Sequence, residues 1–265
     1  MSDIVLRSDI VSRPVDHYGG DWLFVDAART SSTIQSGERG GERPIASRKD
    51  VGLIRSLIIK RHGSPFKHGG MTFYVEAPIF VFRELRTHFV GNYQIEVGKG
   101  EISWFGIREG FEELSYSEAS GRYRPFQPEF WIPEPGRPMF VPEKFRPMAP
   151  QLEVGSEADR ENIVEELRRT YEAEWYTYRR LLDMGVAPEV ARASLGIAVY
   201  SAMYMSLNPL SALRLMTLRV NSPDSRYPTY PQLETQRVVE PIEYAFSSWF
   251  PVTYEAFVEN GRVAP

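Results

Sequence analysis

A long amphipathic stripe in the second half of the chain limits the possible folds most strongly. Between residues 161 and 184, apolar and aromatic side chains recur every three or four positions. They are Ile163, Leu167, Tyr171, Trp175, Tyr178 and Leu182. This spacing puts them on one face of an α-helix, and that face must be buried. We therefore expect a long helix that ends near Gly185, with its aromatic run in the core or at a subunit interface.

A change of period in the first half predicts a strand. In the segment MTFYVEAP, Met71, Phe73 and Val75 alternate with Thr72, Tyr74 and Glu76. Alternation of this kind is typical of a strand with one buried face.

Shorter helical patterns surround these two elements. Further helices are predicted at about 21–30, 48–61, 79–88, from Pro188, from Asn208-Pro209 and, as the last, at about 232–249. Asp21 is expected to cap the first of them, and Gly63 to end the second. The Pro-rich stretch from Pro125 to Pro150 is expected to be an ordered crossover into a mostly helical second half. Together these elements predict an α+β fold with helices packed on a mixed sheet, in a single domain spanning residues 1–265.

Composition excludes several classes of function. With 31 basic and 35 acidic residues the net charge is −4, so no overall positive field attracts nucleic acid or an anionic membrane. No stretch approaches the roughly 18 apolar residues of a membrane helix, and the charged start is unlike a signal peptide, so we expect a cytoplasmic protein. The absence of cysteine excludes disulfides, thiolate nucleophiles and cysteine zinc sites. The four histidines lack metal-binding spacing, so no metal is expected.

The segment SYSEASGRY, residues 115–123, is the most informative for chemistry. Ser120, Gly121 and Arg122 combine a hydroxyl, a residue that lets the backbone approach closely, and a guanidinium. Such a sequence can hold a phosphate or a carboxylate. Taken alone, it is also compatible with a turn that carries a surface arginine.

This segment resembles the S-[FY]-N-E-x-S-G-R-Y signature of the flavin-dependent thymidylate synthases. Other segments are similar to landmarks of that family in the same order along most of the chain. They are DAARTSS, PFKH, EAPIFVFRE, FQPEFWIP, PEVARASL, LNPLSALRLMTLR and PVTYEAF. The resemblance implies that family's fold and its homotetramer, in which the active sites are shared between subunits.

The resemblance also implies roles for individual residues. Nucleotide contacts are expected at Glu84, Ser120, Gly121, Arg122, Arg192 and Arg219. Of these, Arg219 is also the expected catalytic residue, because a permanent cation can stabilise negative charge on an activated pyrimidine ring. FAD contacts are expected at Ser31, Arg86, His88, Glu118, Asn208 and Arg214. In such enzymes reduced FAD supplies hydride, methylenetetrahydrofolate supplies the carbon, NADPH recharges the flavin, and no enzyme cysteine attacks the base.

Four of these residues also have a structural interpretation. A helical arginine such as Arg192 or Arg219 is most often a solvated or salt-bridged surface residue. His88, at the end of an apolar helix, is more often packed than bound to a cofactor. Asn208 is explained as a helix cap, to which a flavin contact would be additional.

The chain departs from the family pattern at several positions. The family's Arg-His-Arg is replaced by Arg86-Thr87-His88-Phe89, and Glu84 stands where the family usually has a nucleotide-contacting glutamine. Leu210 and Arg214 replace an arginine and an asparagine, and Gly196 and Ala198 replace a proline and an asparagine.

An insertion separates His88 from Ser115. The 26 residues 89–114 stand where the family has about three, and their alternation around Gly98-Lys99-Gly100 predicts a β-hairpin at about 90–113. The hairpin could cover the active site or supply a replacement such as Arg108. The alternatives are a surface feature or an oligomer contact.

The resemblance, with these departures, implies FAD-dependent C5 methylation of a uridine 5′-monophosphate nucleotide. UMP is slightly favoured over dUMP, as in relatives that methylate UMP in nucleoside-antibiotic biosynthesis, and Glu84 could accept a hydrogen bond from a ribose 2′-hydroxyl. The alternatives are a flavin- or nucleotide-binding protein that has lost catalysis, a C5 hydroxymethylase, and an enzyme acting on a cytidine nucleotide.

Overall fold

The computed structural model describes residues 4–30, 47–86, 114–122, 124–144 and 151–265. In these ranges the strands are β1 (Val5–Arg7), β2 (Val11–Tyr18), β3 (Gly70–Pro78), β4 (Leu114–Glu118), β5 (Glu129–Trp131) and β6 (Tyr200–Leu207). The helices are α1 (Asp21–Thr30), α2 (Arg48–Ile59), α3 (Ile79–Arg86), α4 (Glu157–Asp183), α5 (Pro188–Ala191), α6 (Pro209–Arg219), α7 (Leu233–Trp249) and α8 (Pro251–Glu259). Short 3-10 helices cover Ser64–Lys67 and Arg192–Ser194. The predicted α+β class is confirmed, whereas the predicted hairpin at 90–113 lies outside the described residues.

A four-stranded antiparallel sheet in the order β2-β3-β6-β4 forms the centre of the fold. The predicted alternation of β3 is confirmed, because Met71, Phe73 and Val75 are buried and the residues between them are less so. Strands β1 and β5 pair in parallel and form a separate two-stranded sheet. The described part of the Pro125–Pro150 stretch, residues 125–144, therefore contains strand β5.

The expectation of a mostly helical second half is confirmed, but strand β6 within it was not predicted. This strand pairs with both β3 and β4, and so occupies an interior position in the sheet. Its Met203, Met205 and Leu207 are buried, whereas Tyr204 between them is exposed. The period of two was present in the sequence, but it lay next to the Asn208-Pro209 helix start and was not recognised.

The prediction for α4 is confirmed and extended towards its start. Ser156 and Asp159 form a capping box, in which the Ser156 hydroxyl accepts from the Asp159 amide and the Asp159 carboxylate accepts from the Ser156 amide. The helix is followed by Gly185 with φ of +81°, a conformation that glycine adopts without strain. Tyr171 stacks on Phe130 of β5 with ring centroids 4.8 Å apart. The aromatic stripe therefore packs inside the protomer.

The end of α2 differs from the prediction. The helix stops at Ile59, and the left-handed residue is Arg61, with φ of 57°, instead of Gly63. The amide of His62 donates to the carbonyl of Leu57, and that of Arg61 to that of Ile58, which is the Schellman pattern. Gly63 is explained by packing, because a Cβ there would lie 3.1 Å from the Leu210 side chain.

The prediction for Asp21 is also wrong. Its buried carboxylate accepts hydrogen bonds from the amides of Val252 and Thr253, at 2.9 and 3.0 Å, and so caps α8 instead of α1. The helix at Leu233–Trp249 is confirmed as α7, but it is not the last one, because α8 follows it. No helix in the described part of the chain is long and apolar enough to cross a membrane.

Candidate active site

Arg219 and Glu84 form an ion pair between two helices. Arg219 is the last residue of α6, Glu84 lies in α3, and Nη2 of the arginine contacts Oε1 of the glutamate. The side chains are 20% and 33% exposed, respectively. Burial lowers the pKa of the Arg219 guanidinium from its ordinary value, and the charge of Glu84 acts in the opposite direction. The two predicted nucleotide contacts therefore lie side by side.

Arg86 and Glu118, both predicted to contact FAD, also pair directly. Arg86 ends α3 and Glu118 ends β4, and the pair joins Nη2 to Oε2. The Arg86 guanidinium carbon also lies 4.2 Å from the centre of the Tyr116 ring. Its Nε is buried and has no hydrogen-bond partner among the described residues. Such a donor is costly to leave unpaired, so a ligand acceptor would satisfy it.

Arg122 and Arg192 meet around Glu189. Nε of Arg122 donates to the Glu189 carboxylate at 3.2 Å, and Nε of Arg192 donates to the Glu189 backbone carbonyl at 3.3 Å. The Arg122–Glu189 pair is more than half exposed, so it contributes little to stability. The structure thus brings together two cations that are 70 positions apart (192 − 122) in the sequence.

The turn of Ser120, Gly121 and Arg122, here called the Ser-Gly-Arg turn, follows strand β4. The Ser120 hydroxyl accepts from the Arg122 amide at 3.3 Å. A Cβ on Gly121 would collide with the ring of Phe126, so the glycine is required by close packing.

A cleft of about 570 Å³ lies beside this turn, a volume within the usual range for small-molecule sites. Its described lining residues include Ser120, Gly121, Glu76, Glu129 and Tyr200. The arginines predicted to contact the nucleotide, Arg122, Arg192 and Arg219, are not among them. The Arg219–Glu84 pair is therefore not among the described residues that line this cleft.

Arg7 contacts three residues that line this cleft. Its guanidinium donates to Glu76 at 2.6 Å, contacts Glu129, and lies 4.3 Å from the centre of the Tyr200 ring. The hydrogen bonds that Arg7 donates to carboxylates, first of all to Asp9, raise its pKa above the ordinary value. The sequence did not predict a site from Arg7, Glu76, Glu129 and Tyr200, because they come from four different strands and share no local motif.

Glu189 was also missed as a site residue, although a signal existed. It lies three positions before Arg192 in the segment PEVAR, which is the spacing of neighbours on a helix.

The remaining predicted residues are placed as follows. Oδ1 of Asn208 accepts from the Ser211 amide at 2.8 Å, which confirms the helix cap. Asn208 also lines a second cleft of about 380 Å³, together with Thr72 and Ser206, whose hydroxyls are 2.9 Å apart. Nη2 of Arg214 donates to the carbonyl of Pro265 at 3.4 Å. Ser31, His88 and Arg108 lie outside the described residues.

Comparison with known proteins places this α+β fold in a family. A family model described as thymidylate synthase complementing protein matches residues 15–252. A flavin-dependent thymidylate synthase of Streptomyces avermitilis is 36% identical over 260 residues, which cover 98% of this chain and 95% of that protein. One from Tropheryma whipplei is 35% identical over 263 residues, covering 99% and 98%. The chain belongs to the flavin-dependent thymidylate synthase family.

Solved structures agree with this assignment. The UMP/dUMP methylase PolB from Streptomyces cacaoi, bound with 5-Br UMP, is 35% identical with a TM-score of 0.79, and the match covers 99% of both chains. The same protein bound with 5-Br dUMP gives a TM-score of 0.81 over 99% of this chain and 100% of that one. The fold class expected from the sequence is therefore confirmed at the level of the whole chain.

Proposed function

We propose that this protein catalyses the FAD-dependent C5 methylation of a uridine 5′-monophosphate nucleotide, UMP or dUMP. Methylenetetrahydrofolate is the proposed carbon donor and NADPH the reductant. The observation that carries the proposal is the meeting of Arg122 and Arg192 around Glu189, next to a cleft of about 570 Å³. The similarity to PolB, which was solved with 5-Br UMP and with 5-Br dUMP, supports a uridylate substrate.

The nucleotide phosphate is assigned to the Ser-Gly-Arg turn and Arg192. Guanidinium groups bind phosphate strongly because their N–H donors match its oxygens, often two at a time. Since the Arg122–Glu189 pair is exposed and weak, a phosphate can take the place of the carboxylate at little cost. Glu189 then keeps the two arginines close together while the site is free of nucleotide.

The pyrimidine ring is assigned to Arg219. A guanidinium that is four-fifths buried acts on a ligand through a poorly screened field. It can therefore stabilise negative charge that develops on the ring during substitution at C5.

The described residues fit a flavin. The Nε of Arg86, which has no partner among the described residues, is the kind of buried donor that a flavin phosphate or carbonyl would satisfy. Asn208 and Arg214 offer further polar groups. Ser31, His88 and Glu118 are assigned to the same cofactor. When bound and reduced, FAD would supply the hydride of the reaction.

A shared active site between subunits is part of the proposal. Arg219 is not among the described residues that line the cleft beside the Ser-Gly-Arg turn, so a homotetramer could bring the turn of one subunit to the arginine of another. Tyr204 and Tyr74 support this, because they stand with ring centroids 5.6 Å apart on the sheet face opposite Met203 and Met205, and Tyr204 is exposed.

Release of tritium from C5-labelled nucleotides tests the proposal. UMP, dUMP and dCMP are incubated in parallel with the FAD-loaded protein, methylenetetrahydrofolate and NADPH. We expect release from UMP and dUMP, slightly faster from UMP, and none from dCMP. Release from dCMP alone would indicate a cytidylate enzyme, and a yellow protein that NADPH bleaches without any release would indicate a binding protein.

A further inference from the structure

The Glu84 carboxylate offsets part of the positive charge of Arg219 at the proposed ring site. Both side chains are mostly buried, so solvent screens their charges less than it would on the surface. A neutral partner, such as a glutamine, would instead leave a positive site. The identity of residue 84 therefore sets the charge that a ligand at Arg219 meets.

We propose that Glu84 acts as the counter-ion of Arg219 and makes the site select the neutral pyrimidine ring, protonated at N3, over its anion. The proposal rests on the function proposed above, in which Arg219 faces the ring. A neutral ring can accept hydrogen bonds from Arg219 through a carbonyl oxygen, and can donate its N3–H to a carboxylate. A ring that has lost the N3 proton has no donor for Glu84 and meets a like charge.

Most charged groups on the elements that pack around this pair form ion pairs of their own. Helix α7 packs on both α3 and α6, strand β3 packs on α3, and the 3-10 helix Ser64–Lys67 packs on α6. The ion pairs on these elements are Glu234–Arg137, Arg237–Glu134, Arg237–Glu240, Glu243–Arg262, Glu76–Arg7 and Arg86–Glu118. The other charged side chains there are Arg83, Lys67, Arg214, Arg13, Asp16 and His17, the last three from β2, which flanks β3. Glu84 is the carboxylate that the structure places against Arg219.

Glu84 is therefore assigned two roles, a binding role through its contact with the ring and a positioning role through Arg219. Its carboxylate offsets the cost of burying the guanidinium and holds it at the end of α6. A purely structural role would affect stability but not the dependence of binding on the charge of the ring. That dependence separates the two interpretations.

The test compares the binding of two nucleotides as a function of pH. Bromine withdraws electrons, so N3–H of 5-bromo-UMP is more acidic than that of UMP. Calorimetric affinities of both ligands are measured on the FAD-loaded protein between about pH 7 and about pH 9.5, and their ratio cancels effects of protein titration that both ligands share. In the wild type, we expect 5-bromo-UMP to lose about tenfold in affinity relative to UMP over this range. This is the effect of a difference of about one pKa unit between the N3–H groups of the two ligands, if only the neutral ring binds.

The substitution Glu84→Gln removes the charge and keeps the shape. It is expected to abolish or reverse the relative loss, because the anionic ring then meets an uncompensated guanidinium. Glu134→Gln is the matched control, since Glu134 is 31% exposed and pairs with Arg237 at 3.0 Å. The control is expected to behave as the wild type.

Three outcomes would contradict the proposal. A wild type whose relative affinity is unchanged as the ring ionises overturns it without the need for any variant. The same pH profile in Glu84→Gln and wild type also overturns it. If the wild type binds neither nucleotide at any pH, the function proposed above fails, and this inference fails with it. If the wild type binds both nucleotides and one of the first two outcomes is found, only this inference fails.

Discussion

Asp21 accepts hydrogen bonds from the backbone amide and the hydroxyl of Thr253, which lies 232 residues further along the chain. The contact joins the start of α1 to the start of α8. Because an uncapped helix start leaves amide groups without partners, this single carboxylate stabilises the last helix of the fold. The amino- and carboxy-terminal parts are thereby fastened together.

Replacing Asp21 with alanine should destabilise the protein. The substitution leaves the amides of Val252 and Thr253 without their acceptor in a buried place, which costs about 2 kcal/mol. Urea unfolding followed by circular dichroism measures the loss. Glu255→Ala, an exposed substitution in the same helix, is the control and should change the free energy of unfolding by less than about 0.5 kcal/mol. Equal stability of the two variants would contradict the capping role.

The same residue should also give stability a pH dependence. Burial raises the pKa of Asp21, against the opposing hydrogen bonds from Thr253 and Val252. A carboxyl group with a raised pKa binds its proton more tightly in the folded state, so its contribution is greatest below the ordinary value of about 3.9 and declines as pH rises through the raised pKa. The free energy of unfolding of the wild type, relative to Asp21→Asn, should therefore fall over this range. A constant difference between the two proteins would show that Asp21 does not titrate with a raised pKa.

Arg192→Ala should weaken nucleotide binding through the phosphate alone. Loss of one charged hydrogen-bond donor to a phosphate corresponds to about tenfold or more in affinity. Calorimetry with UMP and with uridine separates the effects, because uridine lacks the phosphate and its affinity should not change. Arg179→Ala, an exposed substitution on α4, serves as the control. An equal loss for both ligands would indicate that Arg192 acts on the fold or on the base.

Arg219→Ala should abolish turnover while the protein remains folded. Removal of a fixed cation from a developing negative charge lowers the rate by roughly a hundredfold or more. Arg219→Lys should also lose most of the activity, because an ammonium group cannot reproduce the planar set of donors. Steady-state assays are combined with thermal unfolding to separate chemistry from stability. Activity close to that of the wild type in Arg219→Ala would remove the residue from the mechanism.

Features with a local period could be predicted from the sequence. The stripe of α4 and the alternation of β3 follow from spacings of three to four and of two residues, so both elements were recognised. Strand β2 was not predicted, because it lies at the sheet edge with few buried side chains and its pattern is weak. The partner of Asp21 could not be predicted either, since a cap supplied from 231 residues away leaves no trace in local spacing.

In the candidate site, too, local motifs could be recognised in the sequence, whereas contacts between distant residues could not. The resemblance of motifs led to the predictions for Glu84, Arg86, Glu118 and Arg219, but it did not indicate that they form pairs. Their pairing depends on how α3, α6 and β4 are arranged, and that is set by contacts between distant parts of the chain.

Identification of the reaction product tests the central claim most directly. UMP is incubated with the FAD-loaded protein, methylenetetrahydrofolate and NADPH, and the nucleotide is analysed by mass spectrometry and fragmentation of the base. The account predicts a gain of one methyl group on the pyrimidine ring, formed only when all the components are present. A hydroxymethylated base, or unchanged UMP and dUMP under conditions in which NADPH reduces the flavin, would contradict it.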